Sequence, residues 1–211
     1  MMLYKEQVMT ESAVIFQETK TRSGALIGVA TLNAPNNLNA ISLKMIDGLF
    51  RQLENWRHND QVVCIFLQGS GDKAFCAGGD IISLYESMTN SREGTNEYAE
   101  KFFSYEYRLD YLIHNYPKPI ICWGHGFIMG GGLGLMAGAS HRVVTETAKI
   151  AMPEITIGLF PDVGGTWFLN RMPDAIGLFL GLTGLDLNAE DALRVRLADA
   201  FIPARQKEKL W

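Results

Sequence analysis

No two of the three cysteines, Cys64, Cys76 and Cys122, stand at the short spacing of a metal knuckle or a redox pair. A CxxC centre and a Cys/His metal site are therefore excluded. Cys64 and Cys122 fall in apolar stretches and read as buried, reduced thiols, so a cytoplasmic setting is expected. A long uncharged apolar run is also missing. The nearest, Ile120 to Ala139, is interrupted by His125 and by repeated glycines, and suits a buried strand and helix rather than a bilayer span. Residues 1–10 hold Lys5 and Glu6 and no sustained apolar core, so no secretory leader and no membrane attachment are expected. Basic charge is in deficit: the net charge of −4 argues against broad nucleic-acid binding. The segment Gly69 to Asp80 fits neither the phosphate loop G-x-x-x-x-G-K-[ST], because Lys73 precedes the small residues, nor the dinucleotide fingerprint G-x-G-x-x-G.

What is present is enough apolar material, 47% of 211 residues, to bury one substantial core. Ala13 to Glu18 and Ala25 to Leu32 read as a hairpin around Thr21 to Gly24. Ser42 to Asn59 is amphipathic, with Met45, Ile46, Leu49, Phe50, Leu53 and Trp56 on one face. Further strands are expected at Val62 to Leu67, Ile120 to Trp123, His141 to Thr145 and Lys149 to Met152. Further helices are expected at Ile81 to Ser87, Glu97 to Asn115, Gly165 to Arg171, Pro173 to Leu182 and, N-capped by Asn188, Ala189 to Leu197. Thr89 to Asn96 reads as a loop. This alternation implies an α/β fold with a mostly parallel sheet covered by helices.

Glu154 and Asp162 stand among Ile155, Ile157, Leu159, Phe160 and Val163 in a glycine-punctuated turn. Carboxylates so placed are expected to line a partly desolvated cleft, where burial lifts a carboxyl's pKa toward general acid or base work. The plain alternative is capping, Glu154 at a strand end and Asp162 ahead of a helix near Gly164. Upstream, Trp123 to Met136 reads as a strand running into Gly130, Gly131 and Gly132 and then a small-residue helix. The free N–H groups of such a junction make an oxyanion receptor, unless the glycines only allow close helix packing. Gly69 to Asp80 is a second strand, glycine-loop, helix junction, and the two together can hold one carbonyl oxygen as it gains charge.

The ordered set Asn37-Leu-Asn-Ala-Ile41, Ala74-Phe-Cys-Ala-Gly-Gly-Asp80, Pro117-Lys-Pro119, Gly130-Gly-Gly132, Met152-Pro-Glu154 and Gly164-Gly-Thr166 resembles the crotonase (enoyl-CoA hydratase/isomerase) superfamily. The resemblance runs from Ala13 to about Pro203. It implies a β-β-α spiral of mostly parallel sheets, and an acyl-CoA substrate with no separate cofactor and no metal. It also implies a thioester carbonyl held by the backbone N–H groups of Gly79 and Gly131, with Ala77 against the substrate. Hydratases of the superfamily carry a second glutamate on the glycine-run helix; here that position is Gly134, so two-glutamate hydration is not expected. Leu159-Phe-Pro-Asp-Val-Gly-Gly165 instead resembles the branch that hydrolyses 3-hydroxyisobutyryl-CoA. That branch has a substrate-contacting glutamate just before a tyrosine, which Glu106 matches; its plain reading is a solvated helix face. Trp167-Phe168 and Cys122-Trp123 are bulkier than the family's usual choices, which bears on the shape of the acyl pocket. Similar proteins continue into a helical C-terminal part that covers the acyl site and joins subunits. Residues 1–211 are thus expected to be a single core domain of a longer protein, with a homo-oligomer left open and apolar surface around Leu210 and Trp211.

On that resemblance Glu154 attacks the thioester, as general base on water or as nucleophile, and Asp162 returns toward it and passes a proton to the departing sulfur. Glu106 accepts a hydrogen bond from the 3-hydroxyl. The implied products are CoA and a 3-hydroxy acid, 3-hydroxyisobutyrate of valine breakdown. Two other readings stay open: a different crotonase reaction, such as isomerisation by Glu154 alone, and a non-catalytic CoA-binding module. Lys73 is the candidate partner of the CoA phosphates, whereas Cys76 and His125 read as structural.

Overall fold

The computed structural model describes residues 12–90 and 94–210. The expectations placed on residues 1–10, on part of the loop from Thr89 to Asn96, and on the side chains of Leu210 and Trp211 fall outside it.

The hairpin forms as the alternation requires, with Val14–Lys20 (β1) antiparallel to Leu26–Leu32 (β2) and Val14 opposite Leu32. Leu43–Arg57 (α1) follows, its first turn capped by Ser42, whose hydroxyl accepts from the Met45 N–H. Its apolar stripe of Met45, Ile46, Leu49, Leu53 and Trp56 is buried. Trp56 lies so close over β2 that a Cβ on Gly28 would stand 2.8 Å from its ring, and its Nε1–H donates to Glu18 at 2.9 Å. A glycine in mid-strand is therefore the condition for seating the indole.

From here the chain winds as a spiral. The first strands of three successive turns, Val62–Gly69 (β3), Ile120–Gly124 (β5) and His141–Val144 (β7), join a six-stranded sheet of order β1-β2-β3-β5-β7-β9, closed by Ala200–Phe201 (β9). Every pairing in it except β1 with β2 is parallel. The second strands, Ala74–Cys76 (β4), Phe127–Met129 (β6) and Lys149–Ala151 (β8), form a small parallel sheet of their own. Its members are only three residues long, too short for a period-2 pattern, so β4 was not legible in the sequence and β6 only as the tail of a strand. Ile81–Asn90 (α2), Glu97–His114 (α3) and Gly131–Gly138 (α4) cover the sheets, and Gly165–Leu169 (α5), Ile176–Thr183 (α6) and Ala189–Arg194 (α7) complete the described chain. The helix bounds depart from their patterns: α2 runs on to Asn90 through the start of the expected loop, α5 ends at Leu169 rather than Arg171, and α6 and α7 are shorter than expected. Pro173 opens a 3-10 turn in which Asp174 and Ala175 take φ of 53° and 58°, so α6 begins only at Ile176, and α7 stops before Arg196 at φ 62°. Among the described residues no helix is long and apolar enough to cross a membrane.

Because β4, β6 and β8 are parallel neighbours, their C-terminal ends emerge on one edge. Three segments are thereby delivered side by side: Ala77 to Asp80, Gly130 to Gly131, and Met152 to Glu154. The first of these is clamped by the Asn37 to Ile41 motif. Ile41 N–H donates to Gly78 O at 2.8 Å and Ile41 O accepts from Asp80 N–H at 2.9 Å. Asn39, fully buried, accepts from Ala34 N–H and donates to Ser70 O and Ala74 O, each at 2.9 Å. Replacing Asn39 by Ala strands three backbone groups, one of them fully buried and two partly buried, at about 1–3 kcal/mol for a group buried without a partner. The Asn39→Ala protein is expected to lose roughly 3 kcal/mol in urea unfolding, and a loss under about 0.5 kcal/mol would show that the clamp is dispensable.

Candidate active site

Ala77, Gly79, Glu106, Gly131, Glu154 and Asp162, drawn from four separate stretches, line one cavity of about 170 Å³ together with Phe102, Phe103, Ile157 and Leu159. Lys73 is not among them; it borders a different cavity, of about 250 Å³, between residues 35–39 and 70–74.

The backbone supplies the positive side of this site. Gly79 pairs with Ile41 through its flanking groups, which turns its own N–H the other way. Gly131 is the first residue of α4, where an N–H has no partner within the helix. Among the described residues neither amide has a backbone acceptor.

The carboxyls supply the negative side, and the glycine run is what lets them in. Gly130, at φ 50°, leaves room for Glu154: a Cβ there would stand 2.8 Å from Glu154 Oε1. Any Cβ on Gly131 would overlap Glu106 Oε1. Glu106 and Glu154 are both buried, at 2% and 6% exposure, and each has an oxygen without a hydrogen-bond partner. The solvated-face reading of Glu106 is thus wrong. Helix packing is one function of the run, since Gly132 seats against Cys76, but it is not the whole one.

Asp162 does not cap α5, whose N-cap is Gly164 with no side-chain bond. Its Oδ2 instead accepts a 2.8 Å hydrogen bond from the Tyr107 hydroxyl on α3. Glu154 likewise opens a 3-10 turn, Glu154–Ile157, and caps nothing. At the position of Gly134, Val163 fills the space: a Cβ on Gly134 would lie 2.5 Å from the Val163 Cβ.

Burial dominates the electrostatics. It lifts Glu154 to about 7, with Asp162 adding to the rise. It lifts Glu106 to about 8, with the Asp162 and Glu154 charges adding. Asp162 rises too, although the Tyr107 hydroxyl pulls it back. At neutral pH Glu106 is therefore mostly protonated, able to donate from one oxygen and accept at the other, while Glu154 is poised between its two forms. Burial pushes the Cys76 thiol up to about 12 and keeps His125 neutral, its Nε2 lying 3.0 Å from Gly71 O. The thiol is thus unprepared for nucleophilic work, and His125 does not line the cavity that holds Glu154.

Two residues of the site escaped the sequence reading, Tyr107 and Asp110. Asp110 lies one turn after Glu106 on α3, and both of its oxygens are buried without a hydrogen-bond partner. Burial, then Glu106, then Asp162 raise its pKa well above the ordinary value of an aspartate. An acid repeated at i and i+4 beside an aromatic was the available signal, masked because that spacing also describes a solvated helix face.

The raised acids fix a sign. Glu106 holds its proton up to about pH 8 in the folded state, whereas an unfolded glutamate loses it near 4.5, so stability falls as pH rises between those values. In urea unfolding the protein is expected to lose on the order of 3 kcal/mol from pH 5 to pH 8, and Glu106→Gln to lose distinctly less. Superimposable pH dependence for the two proteins would contradict this assignment.

Residues 27–211 match the family model described as enoyl-CoA hydratase/isomerase. The chain is 43% identical over 183 residues to the mitochondrial 3-hydroxyisobutyryl-CoA hydrolase of Danio rerio, covering 87% of this chain and 47% of that protein. It is 42% identical to that of Homo sapiens, covering 85% and 45%. The chain thus spans about half the length of the curated relatives it matches. Among solved structures, an enoyl-CoA hydratase from Rhodobacter sphaeroides superposes with a TM-score of 0.87 at 40% identity, covering 94% of this chain and 57% of that one. A carnitinyl-CoA dehydratase from Mycobacterium thermoresistibile gives 0.86 at 36%, covering 93% and 55%. These relatives overturn the cytoplasmic setting expected from the thiols, since the hydrolases are named as mitochondrial and a reduced thiol does not distinguish the two compartments. The spiral of two parallel sheets, the glycine junctions on one edge and these matches agree: the chain belongs to the enoyl-CoA hydratase/isomerase family.

Proposed function

We propose that this chain carries the catalytic site of a 3-hydroxyacyl-CoA thioester hydrolase, with 3-hydroxyisobutyryl-CoA as substrate. The observation that carries the reading is the packing of Val163 on Gly134, which leaves no room for a second glutamate on α4, combined with Asp162 lining the same cavity as Glu154. One glutamate and one aspartate on a shared cleft suit thioester cleavage, and relatives at 43% and 42% identity bear that name.

In this reading the thioester oxygen lies between the N–H groups of Gly79 and Gly131. They favour the tetrahedral oxyanion over the planar carbonyl by roughly 3 kcal/mol per donor. Ionised Glu154 drives the attack. As general base it takes a proton from water while the water oxygen bonds to the carbonyl carbon; as nucleophile it forms an anhydride that water then opens. Collapse of the oxyanion breaks the C–S bond, and the proton reaches the sulfur through Asp162. Glu106 binds the 3-hydroxyl, and Ala77 borders the acyl group. The balance is one water consumed, with one thiol and one 3-hydroxy acid released.

The deciding assay follows thiol release from 3-hydroxyisobutyryl-CoA by the full-length protein. Loss of enoyl absorbance from an unsaturated acyl-CoA without thiol release would sink the proposal in favour of hydratase or isomerase work. Acyl-CoA binding without turnover would sink it in favour of a binding module. Glu154→Gln and Asp162→Asn are each expected to lower kcat about 10²–10⁴-fold with acyl-CoA affinity nearly unchanged. In the native enzyme kcat/KM should rise with pH through about 7, the pKa of free Glu154. Native turnover by Asp162→Asn would leave Asp162 without a chemical role.

A further inference from the structure

Asp162 lines two cavities. Adjoining the smaller one at Asp162 is a second, of about 390 Å³, open toward solvent at Phe160 and Trp167 and lined also by Tyr107, His114, Ala137 and Asp110. The Tyr107 to Asp162 hydrogen bond stands at the junction. In the proposed reaction the four-carbon acyl group lies in the 170 Å³ cavity beside Glu154, which leaves the larger chamber without a task. So are Trp167, held edge-on to His114 at 4.7 Å and under the Arg171 guanidinium at 3.8 Å, and Asp110, a carboxyl with neither oxygen bonded. A buried polar group without a partner carries a free-energy cost that a ligand able to pair with it removes.

We propose that Asp110 and the chamber it faces form a second recognition subsite, which takes acyl groups that pass Asp162 and carry a further hydroxyl or carbonyl oxygen. The inference rests on the thioester-hydrolase reading. The chamber's aromatic and small-residue walls fit the apolar part of such a chain, and Asp110 is the polar group on its lining available to pair with the further oxygen. Asp110 stands about 6 Å along α3 from Glu106, which places a second oxygen several bonds beyond the 3-hydroxyl. Burial favours the protonated form of Asp110, in which it donates and accepts at once, so its partner is a neutral oxygen group rather than an ammonium.

The test compares kcat/KM of the full-length enzyme for 3-hydroxyisobutyryl-CoA, 3-hydroxyhexanoyl-CoA, 3,6-dihydroxyhexanoyl-CoA and the 6-amino counterpart of the last. The expected result is that the dihydroxy chain is preferred over 3-hydroxyhexanoyl by roughly fivefold, the worth of one buried neutral hydrogen bond. Asp110→Leu is expected to abolish that preference and Asp110→Asn, still donor and acceptor, to keep most of it. Ala137→Leu, which fills the chamber from α4, is expected to leave 3-hydroxyisobutyryl-CoA within about twofold while lowering the six-carbon substrates at least tenfold. Should Ala137→Leu fail to fold, Trp167→Ala at the half-exposed outer wall serves instead, with the same selective loss expected. The proposal is overturned if only the four-carbon substrate is hydrolysed, if the 6-amino chain is the better one, or if Asp110→Leu leaves the dihydroxy preference intact. Equal loss on all substrates in the chamber variants overturns it too. Absence of hydrolysis with every thioester removes the hydrolase reading itself, and this subsite with it.

Discussion

Four carboxyl groups crowd one end of this molecule without a cation among them. Glu106, Asp110, Glu154 and Asp162 take part in none of the ion pairs of the described residues, which all lie elsewhere. Ionising all four at once in a partly desolvated cleft would consume a large part of the fold's stability. Two devices make the arrangement tolerable. Protons are retained, because burial raises the pKa of all four carboxyls and neighbouring like charges add to the rise of Glu106, Asp110 and Glu154. The N-terminus of α4 also meets Glu106 and Glu154 through Gly131 and Gly130, setting the positive end of the helix dipole against them.

Protonation has a chemical consequence as well as an energetic one. An ionised Glu106 beside Gly131 would compete for the N–H groups that, in the proposed reaction, receive the thioester oxygen. Held neutral, it leaves them to the substrate and still offers a donor and an acceptor to a hydroxyl. Glu154, the less buried of the pair and raised by one like charge rather than two, ionises first. Differences in burial thus assign different tasks to two glutamates only one helix start apart.

Much of this was legible in the sequence because it rests on local rules. The stripe of α1, the hairpin, the glycine junctions and the oddity of acids within an apolar turn all follow from spacing and residue type, and the ordered motifs pointed to the family. The family match supports that reading, whereas the roles of Gly79, Gly131, Glu154 and Asp162 remain part of the proposed function. What was not legible depends on the third dimension. Nothing in the helical pattern of 97–115 tells that Tyr107 reaches an aspartate 55 positions later, or that Asp110 faces a cavity rather than water. Of the small sheet's three-residue strands, Lys149–Ala151 was legible from its pattern, whereas Ala74–Cys76 was not and Phe127–Met129 showed only as the tail of a strand, because partners rather than composition define strands so short. The ends of α6 and α7 were misjudged where non-glycine residues take positive φ, a choice made by packing against the preference of the residue itself.

Val163 shows how the turn that carries Asp162 is held. It is a β-branched residue at φ 41°, a conformation its side chain opposes, yet it is 5% exposed and packed against α4. Such strain persists only where the surroundings over-determine it. Here Gly134 provides the socket for the valine side chain, Gly165 N–H bonds back to the Asp162 carbonyl, and Gly164 at φ 84° turns the chain into α5. With Tyr107 gripping the carboxyl from the opposite side, the aspartate is fixed at both its backbone and its tip. The absence of a side chain at Gly134 is therefore not simply a missing acid. It is the space that lets Val163 seat, and a seated Val163 is what points the neighbouring Asp162 at Glu154's cleft.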